Sequence, residues 1–73
     1  MNRITIVKTD GSVYEVHTLP RDACPILSAG HLARCHRARN FRYQIEASGQ
    51  KSEAFTAVEI EARAALQREF GAA

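Results

Sequence analysis

Polar and apolar residues alternate along RITIVKTDGSVYEVHT, Arg3 to Thr18, on either side of Asp10-Gly11. Two β-prone runs flanking such a dipeptide predict a β-hairpin. A three-residue loop, Thr9-Asp10-Gly11, with Gly11 in the left-handed conformation, sets Lys8 opposite Ser12, Ile6 opposite Tyr14 and Ile4 opposite Val16. That register gathers Ile4, Ile6, Tyr14 and Val16 on one face. A two-residue loop would scatter them, because a slip of one residue exchanges the faces of a strand.

A second alternation, FRYQIEA, places Phe41, Tyr43, Ile45 and Ala47 on one side and Arg42, Gln44 and Glu46 on the other. Ser48-Gly49 turns the chain, and QKSEAF returns as a shorter strand with Lys51 opposite Glu46, a favourable cross-strand pair. The period then changes. In FTAVEIEARAALQREFG, Thr56 and Glu59 have the spacing of a capping box, Phe55 and Ile60 that of a hydrophobic staple, and Gly71 that of a stop. A helix from about 57 to 70 is predicted. Val58, Ala62, Leu66 and Phe70, with Ala65 beside them, form one ridge; Ala57, Ile60 and Ala64 lie on another side. Spacing alone leaves open which side packs on a sheet and which is offered to a partner.

The middle, Leu19 to Asn40, carries a weaker pattern. Pro20 and Pro25 suit a loop or a helix start. Residue types from Ile26 to about Arg37 favour a helix, although Gly30 weakens it. The alternative is a strand through LARCHRAR that turns at Asn40. DGSVYEVHT and SGQKSEAFT share Gly, Glu and Thr at an offset of 38 residues. This hints at a ββα unit used twice, on three shared positions only. The elements predict an α+β domain, ββαββα: two hairpins in one small antiparallel sheet, with two helices on one face.

Seventy-three residues, 45% hydrophobic and 25% charged, fit a single globular domain spanning 1–73 with a thin core. No apolar run is long enough to span a bilayer, and MNRITIVKTDG lacks the apolar core of a signal peptide. With two cysteines and a start at Met1, the expectation is a standalone cytoplasmic product. The net charge of +2 is small, but it is unevenly placed. Residues 1–30 balance. Residues 31–42 hold four arginines and no acid. Residues 43–73 hold five glutamates against Lys51, Arg63 and Arg68.

The basic stretch GHLARCHRARNFRY changes the functional picture most. Arg34, His36, Arg37, Arg39 and Arg42 form the candidate binding surface. Arg34 and Arg37 share a helix face, and Arg39 and Arg42 extend it towards the next strand. Three uses compete: a solvated face, a grip on an acidic protein surface, and contact with nucleic-acid phosphates, where Phe41 and Tyr43 would stack on bases unless the core claims them. Cys24, His31, Cys35 and His36 give C-x6-H-x3-C-H, with His31 and Cys35 one helical turn apart. Without a C-x2-C pair the pattern makes Cys24, His31 and Cys35 weak metal candidates, and no metal or cofactor is expected. A Cys24–Cys35 disulfide is disfavoured by a reducing compartment. No phosphate loop, dinucleotide fingerprint or carboxylate pair is present, and a Cys-His pair without a third orienting group does not make an enzyme.

The half FRYQIEASGQ…FTAVEIEARAAL resembles small bacterial hairpin-plus-helix domains such as the antitoxin partners of toxin–antitoxin pairs, but it lacks their signature, so no residue role transfers. In size and style the chain is also similar to phage or mobile-element products, including anti-CRISPR-type inhibitors of bacterial defence complexes. The expectation is a small non-enzymatic module that binds a larger protein or complex, or a second copy through the C-terminal helix. Nucleic-acid binding through residues 34–42 is the alternative.

Overall fold

The computed structural model describes residues 2–36 and 39–71. The order is β1 (Asn2–Val7), β2 (Val13–Leu19), α1 (Pro25–Cys35), β3 (Arg42–Ala47), β4 (Gln50–Thr56) and α2 (Ala57–Gly71). The strands form one antiparallel sheet in the order β2-β1-β3-β4. Facing residues pair across it: Ile4 with Ile45, Ile6 with Tyr43, and Tyr43 with Phe55. With Phe41, these join Ala29 and Ala33 of α1 and Ile60 of α2 in one core. Both helices therefore cover the same face, and the fold is the ββαββα arrangement expected.

α1 resolves the ambiguous middle as a helix. Pro25 opens it, where a missing N–H costs nothing. Ala29 and Ala33, four residues apart, are fully buried; a strand would have sent alternate residues inward instead. Gly30 survives inside the helix because α2 crosses there. A Cβ on Gly30 would lie 2.5 Å from the Cβ of Ala64. α1 bears on β1 and β3, and α2 on β4 and β3, while the two helices pack extensively on each other. The helical layer is thus displaced from β2.

The first hairpin matches the expected loop but not the expected register. The Lys8 N–H donates to the Ser12 carbonyl (2.8 Å), the Gly11 N–H donates to the Lys8 carbonyl (3.0 Å), and Gly11 has φ +92°. Asp10 Oδ1 accepts from the Ser12 N–H and hydroxyl, and the hydroxyl bond above all lowers the Asp10 carboxyl below its usual range. Beyond the loop, a bulge intervenes between Ile6 and Val7: Val7 faces Val13, yet Ile6 faces Glu15 and Ile4 faces His17. Tyr14 is the extra residue. Its ring leaves the ladder to lie 4.5 Å from Phe41 and 5.9 Å from His36. Ile4 and Ile6 are buried as expected, whereas Val16 moves to the outer face and is 51% exposed.

The second hairpin closes on Ser48-Gly49 with φ +54° and +79°, the two positive angles that suit a tight turn between twisted strands. Glu46 does face Lys51, but its ion pair is with Arg3 across the sheet (3.5 Å). Ser52 fills an irregularity between Gln44 and Glu46, its Oγ accepting the Ile45 N–H at 2.9 Å. The two ββα units are equal in topology, but the offset of 38 would equate inward Ile6 with outward Gln44. The shared letters are therefore turn chemistry and not equivalent core positions.

α2 begins with the predicted capping box. The Thr56 N–H donates to Glu59 Oε1 (2.9 Å), and the Glu59 N–H donates to Thr56 Oγ1 (3.2 Å). The Thr56 N–H foremost, and after it the Thr56 side chain, hold the Glu59 carboxyl below its usual value of 4.5. Its contribution is therefore complete above the unfolded-state value and is lost as pH falls through the lowered folded one. Thr56→Ala should cost about 1 kcal/mol at neutral pH. The urea midpoints of wild type and Glu59→Ala should converge as pH falls below the usual carboxyl value of 4.5; a gap independent of pH would exclude the cap as its source.

Candidate interaction surfaces

The described residues of the basic segment do not gather on one surface. Arg34 is exposed on α1 and lines a cleft with Gly30, Glu61, Ala64, Ala65 and Arg68. His36 ends α1, half-buried, with its ring 5.5 Å from Phe41. Arg39 is exposed in the following turn, its N–H donating to the His36 carbonyl at 2.9 Å. Arg42 opens β3 beside Val7 and Thr56, on the sheet face turned away from the helices. Arg37 lies outside the described residues. Arg34 and Arg42 are thus on opposite sides of the sheet, because a strand alternates its faces where a helix would have continued one. Phe41 and Tyr43 belong to the core, 7% and 0% exposed, which removes them as stacking platforms.

The metal candidates divide in the same way. Cys35 Sγ and His31 Nε2 come within 3.9 Å on the exposed side of α1. Cys24 is at the N-cap, the other end of an 11-residue helix, roughly 16 Å away along the axis. That distance also excludes the disulfide, and both thiols are free. Among the described residues no three His, Cys, Asp or Glu groups converge to hold a metal. Exposure makes Cys35 the faster thiol: in native protein, Ellman's reagent should modify Cys35 before half-buried Cys24. Equal rates, read by peptide mass, would show that α1 does not shelter its N-cap.

Inside the sheet-helix interface, the Tyr43 hydroxyl is buried and without a hydrogen-bond partner among the described residues. Burial first, then the charges of Glu61 and Cys35, raises its ionisation above the usual value. Tyr43 is enclosed by the core, 0% exposed.

An exposed apolar ridge lies on α2. The side carrying Ala57, Ile60 and Ala64 turns inward, and Ile60 and Ala64 are 0% and 1% exposed. Opposite, Val58, Leu66 and Phe70 are 77%, 55% and 73% exposed, aligned through exposed Ala62 at four-residue spacing. Glu59 and Glu69 lie on the same outer side. Arg63 flanks the ridge and stacks over the Phe55 ring, 4.4 Å from its centre. No described helix is long and apolar enough to cross a membrane. No protein-family profile matches the chain, and neither curated proteins nor solved structures give a match.

Proposed function

We propose that this protein is a non-enzymatic interaction module that lays the outer ridge of α2 into an apolar groove of a larger partner protein. The observation that carries the reading is the line of exposed Val58, Leu66 and Phe70. Side chains of this size gain about 1.5–3 kcal/mol each on full burial, and the fold leaves that gain to be made with something else. A single helix offering apolar anchors at intervals of one and two turns is the form in which amphipathic segments enter grooves. Glu59 and Glu69 on the same side favour a groove with a cationic rim. They also oppose a second copy: an antiparallel pairing that sets Ala62 against Leu66 of its neighbour brings Glu59 against the neighbour's Glu69. Blocking a larger complex, the use suggested by the size of the chain, would follow from occupying such a groove. Contact with nucleic acid is the less favoured reading, since Arg34, Arg39 and Arg42 do not share a face.

The test is site-directed photocrosslinking in cells expressing the full chain, with p-benzoylphenylalanine replacing Ala62 on the ridge or Thr5 on the outer sheet face. A discrete adduct is expected from position 62 alone, and Phe70→Glu should abolish it without altering the melting temperature. Equal labelling from both positions, or an adduct indifferent to Phe70→Glu, would overturn the reading.

A further inference from the structure

The displacement of the helices leaves a trough beside β2. On the strand side it is lined by His17 and Leu19, which share the inward face with Ile4 and its neighbours. On the helix side it is lined by Leu27, Ser28, His31 and Leu32. Its volume is about 380 Å³. Leu19 also lines a second hollow of about 470 Å³ that continues past the end of the strand to Arg21.

Three features of the trough point to one kind of occupant. β2 is an edge strand with β1 as its single neighbour in the sheet, so alternate N–H and C=O groups along Val16–Leu19 are open to another strand. That stretch pairs regularly with β1, and the bulge lies nearer the turn. The floor is apolar, made by Leu19, Leu27 and Leu32, while the titratable groups that line the two hollows are His17, His31 and Arg21, with no carboxylate. Finally, His17 Nε2 is buried without a hydrogen bond among the described residues. Glu15 Oε1 stands 3.5 Å away, close enough for attraction but not aligned to satisfy it.

We propose that this trough binds an extended segment of a partner protein, added to β2 as a fifth strand, with aliphatic side chains at alternate positions and acidic ones between them. The open backbone of β2 supplies affinity for any extended chain, and the trough selects its side chains. Aliphatic groups facing the floor meet Leu19, Leu27 and Leu32. A carboxylate near the rim meets His31 and Arg21, and a polar atom of the segment completes His17. A helix could not use the strand edge, and a cationic segment would meet Arg21 with no carboxylate lining the two hollows to offset it. The inference rests on the reading of the protein as an interaction module, but it concerns a surface separate from the α2 ridge.

The experiment is a titration of the full chain, followed by amide ¹H–¹⁵N shifts, with an acetylated and amidated hexapeptide of alternating glutamate and valine. Comparison peptides carry N-methyl groups on alternate amides, in both phases, or lysine in place of glutamate. The expected result is saturable binding at about millimolar Kd, with shifts at Val16–Leu19, Leu27 and His31. Binding should weaken at least tenfold with one N-methylated phase and with the lysine peptide. His31→Glu, at an exposed position, should keep the melting temperature and weaken binding at least fivefold. No shifts at millimolar peptide, equal binding of both N-methylated phases, or β2 pairing with a second copy before peptide is added would overturn the proposal. Shifts confined to Val58–Phe70 would also overturn it while leaving the ridge reading standing. Failure of the Ala62 crosslink together with trough binding would remove the ridge and leave the trough.

Discussion

Gly30→Ala is expected to destabilise the fold, and Gly30→Leu to abolish it. In an isolated helix, alanine would be favoured over glycine by about 1 kcal/mol. Here the new methyl would meet the Ala64 Cβ at 2.5 Å. That atom is fixed directly to the α2 backbone and cannot rotate aside, so the helices must separate. Overpacking of this kind costs about 1–3 kcal/mol, and the net loss should be about 1 kcal/mol. In a domain of this size that corresponds to a fall of about 4–8 °C in melting temperature. Leucine adds three more carbons to the same contact, in a protein with little stability to spare. Ala64→Gly should rescue Gly30→Ala, because it removes the other half of the collision. Calorimetry on the four members of this cycle decides the point: a Gly30→Ala protein melting at or above wild type would mean that the helices do not approach as closely as described.

Ile60→Ala should cost about 3 kcal/mol, and Leu66→Ala no more than about 0.5 kcal/mol. Both substitutions trim a large aliphatic residue on the same helix. They differ in what surrounds it: Ile60 is fully buried between sheet and α1, while Leu66 is 55% exposed. Urea denaturation of the two variants, with a common slope, measures the contrast. Similar losses would mean that the ridge is covered in the folded protein, and the docking surface proposed for it would disappear.

Much of this arrangement was legible in the chain. Asp10-Gly11 and Ser48-Gly49 mark the two hairpin turns because few dipeptides accept those angles. Thr56 and Glu59 mark the start of α2 because their side chains answer each other's backbone. The sites of ambiguity are equally physical. The bulge at Tyr14 has no local signature; it arises because the ring finds Phe41 and His36, residues distant in sequence. The orientation of α2 was undetermined because both of its sides are apolar. Volume decides it: Ala64 allows a close approach to α1 at Gly30, and Leu66 or Phe70 in its place would not. Arg34 and Arg42 look like one cluster in the chain, but helix and strand send them to different sides of the molecule. The trough at β2 depends on where the helices sit laterally on the sheet, which no pattern within a single element encodes.

The junction between the two ββα units has a consequence for how the molecule is assembled. β1 pairs with β3, and α1 packs on α2, across that junction. Ile4 and Ile6 from one unit and Tyr43, Ile45 and Ile60 from the other make a single core, so neither unit encloses one of its own. The covalent link after α1 then serves mainly to keep the two halves at high local concentration. Supplied as separate chains, 1–38 and 39–73, each should remain unfolded alone, and the mixture should recover the native circular dichroism with a stability that rises with concentration. In that sense the protein is an intramolecular heterodimer, and its folding is the association of two complementary fragments.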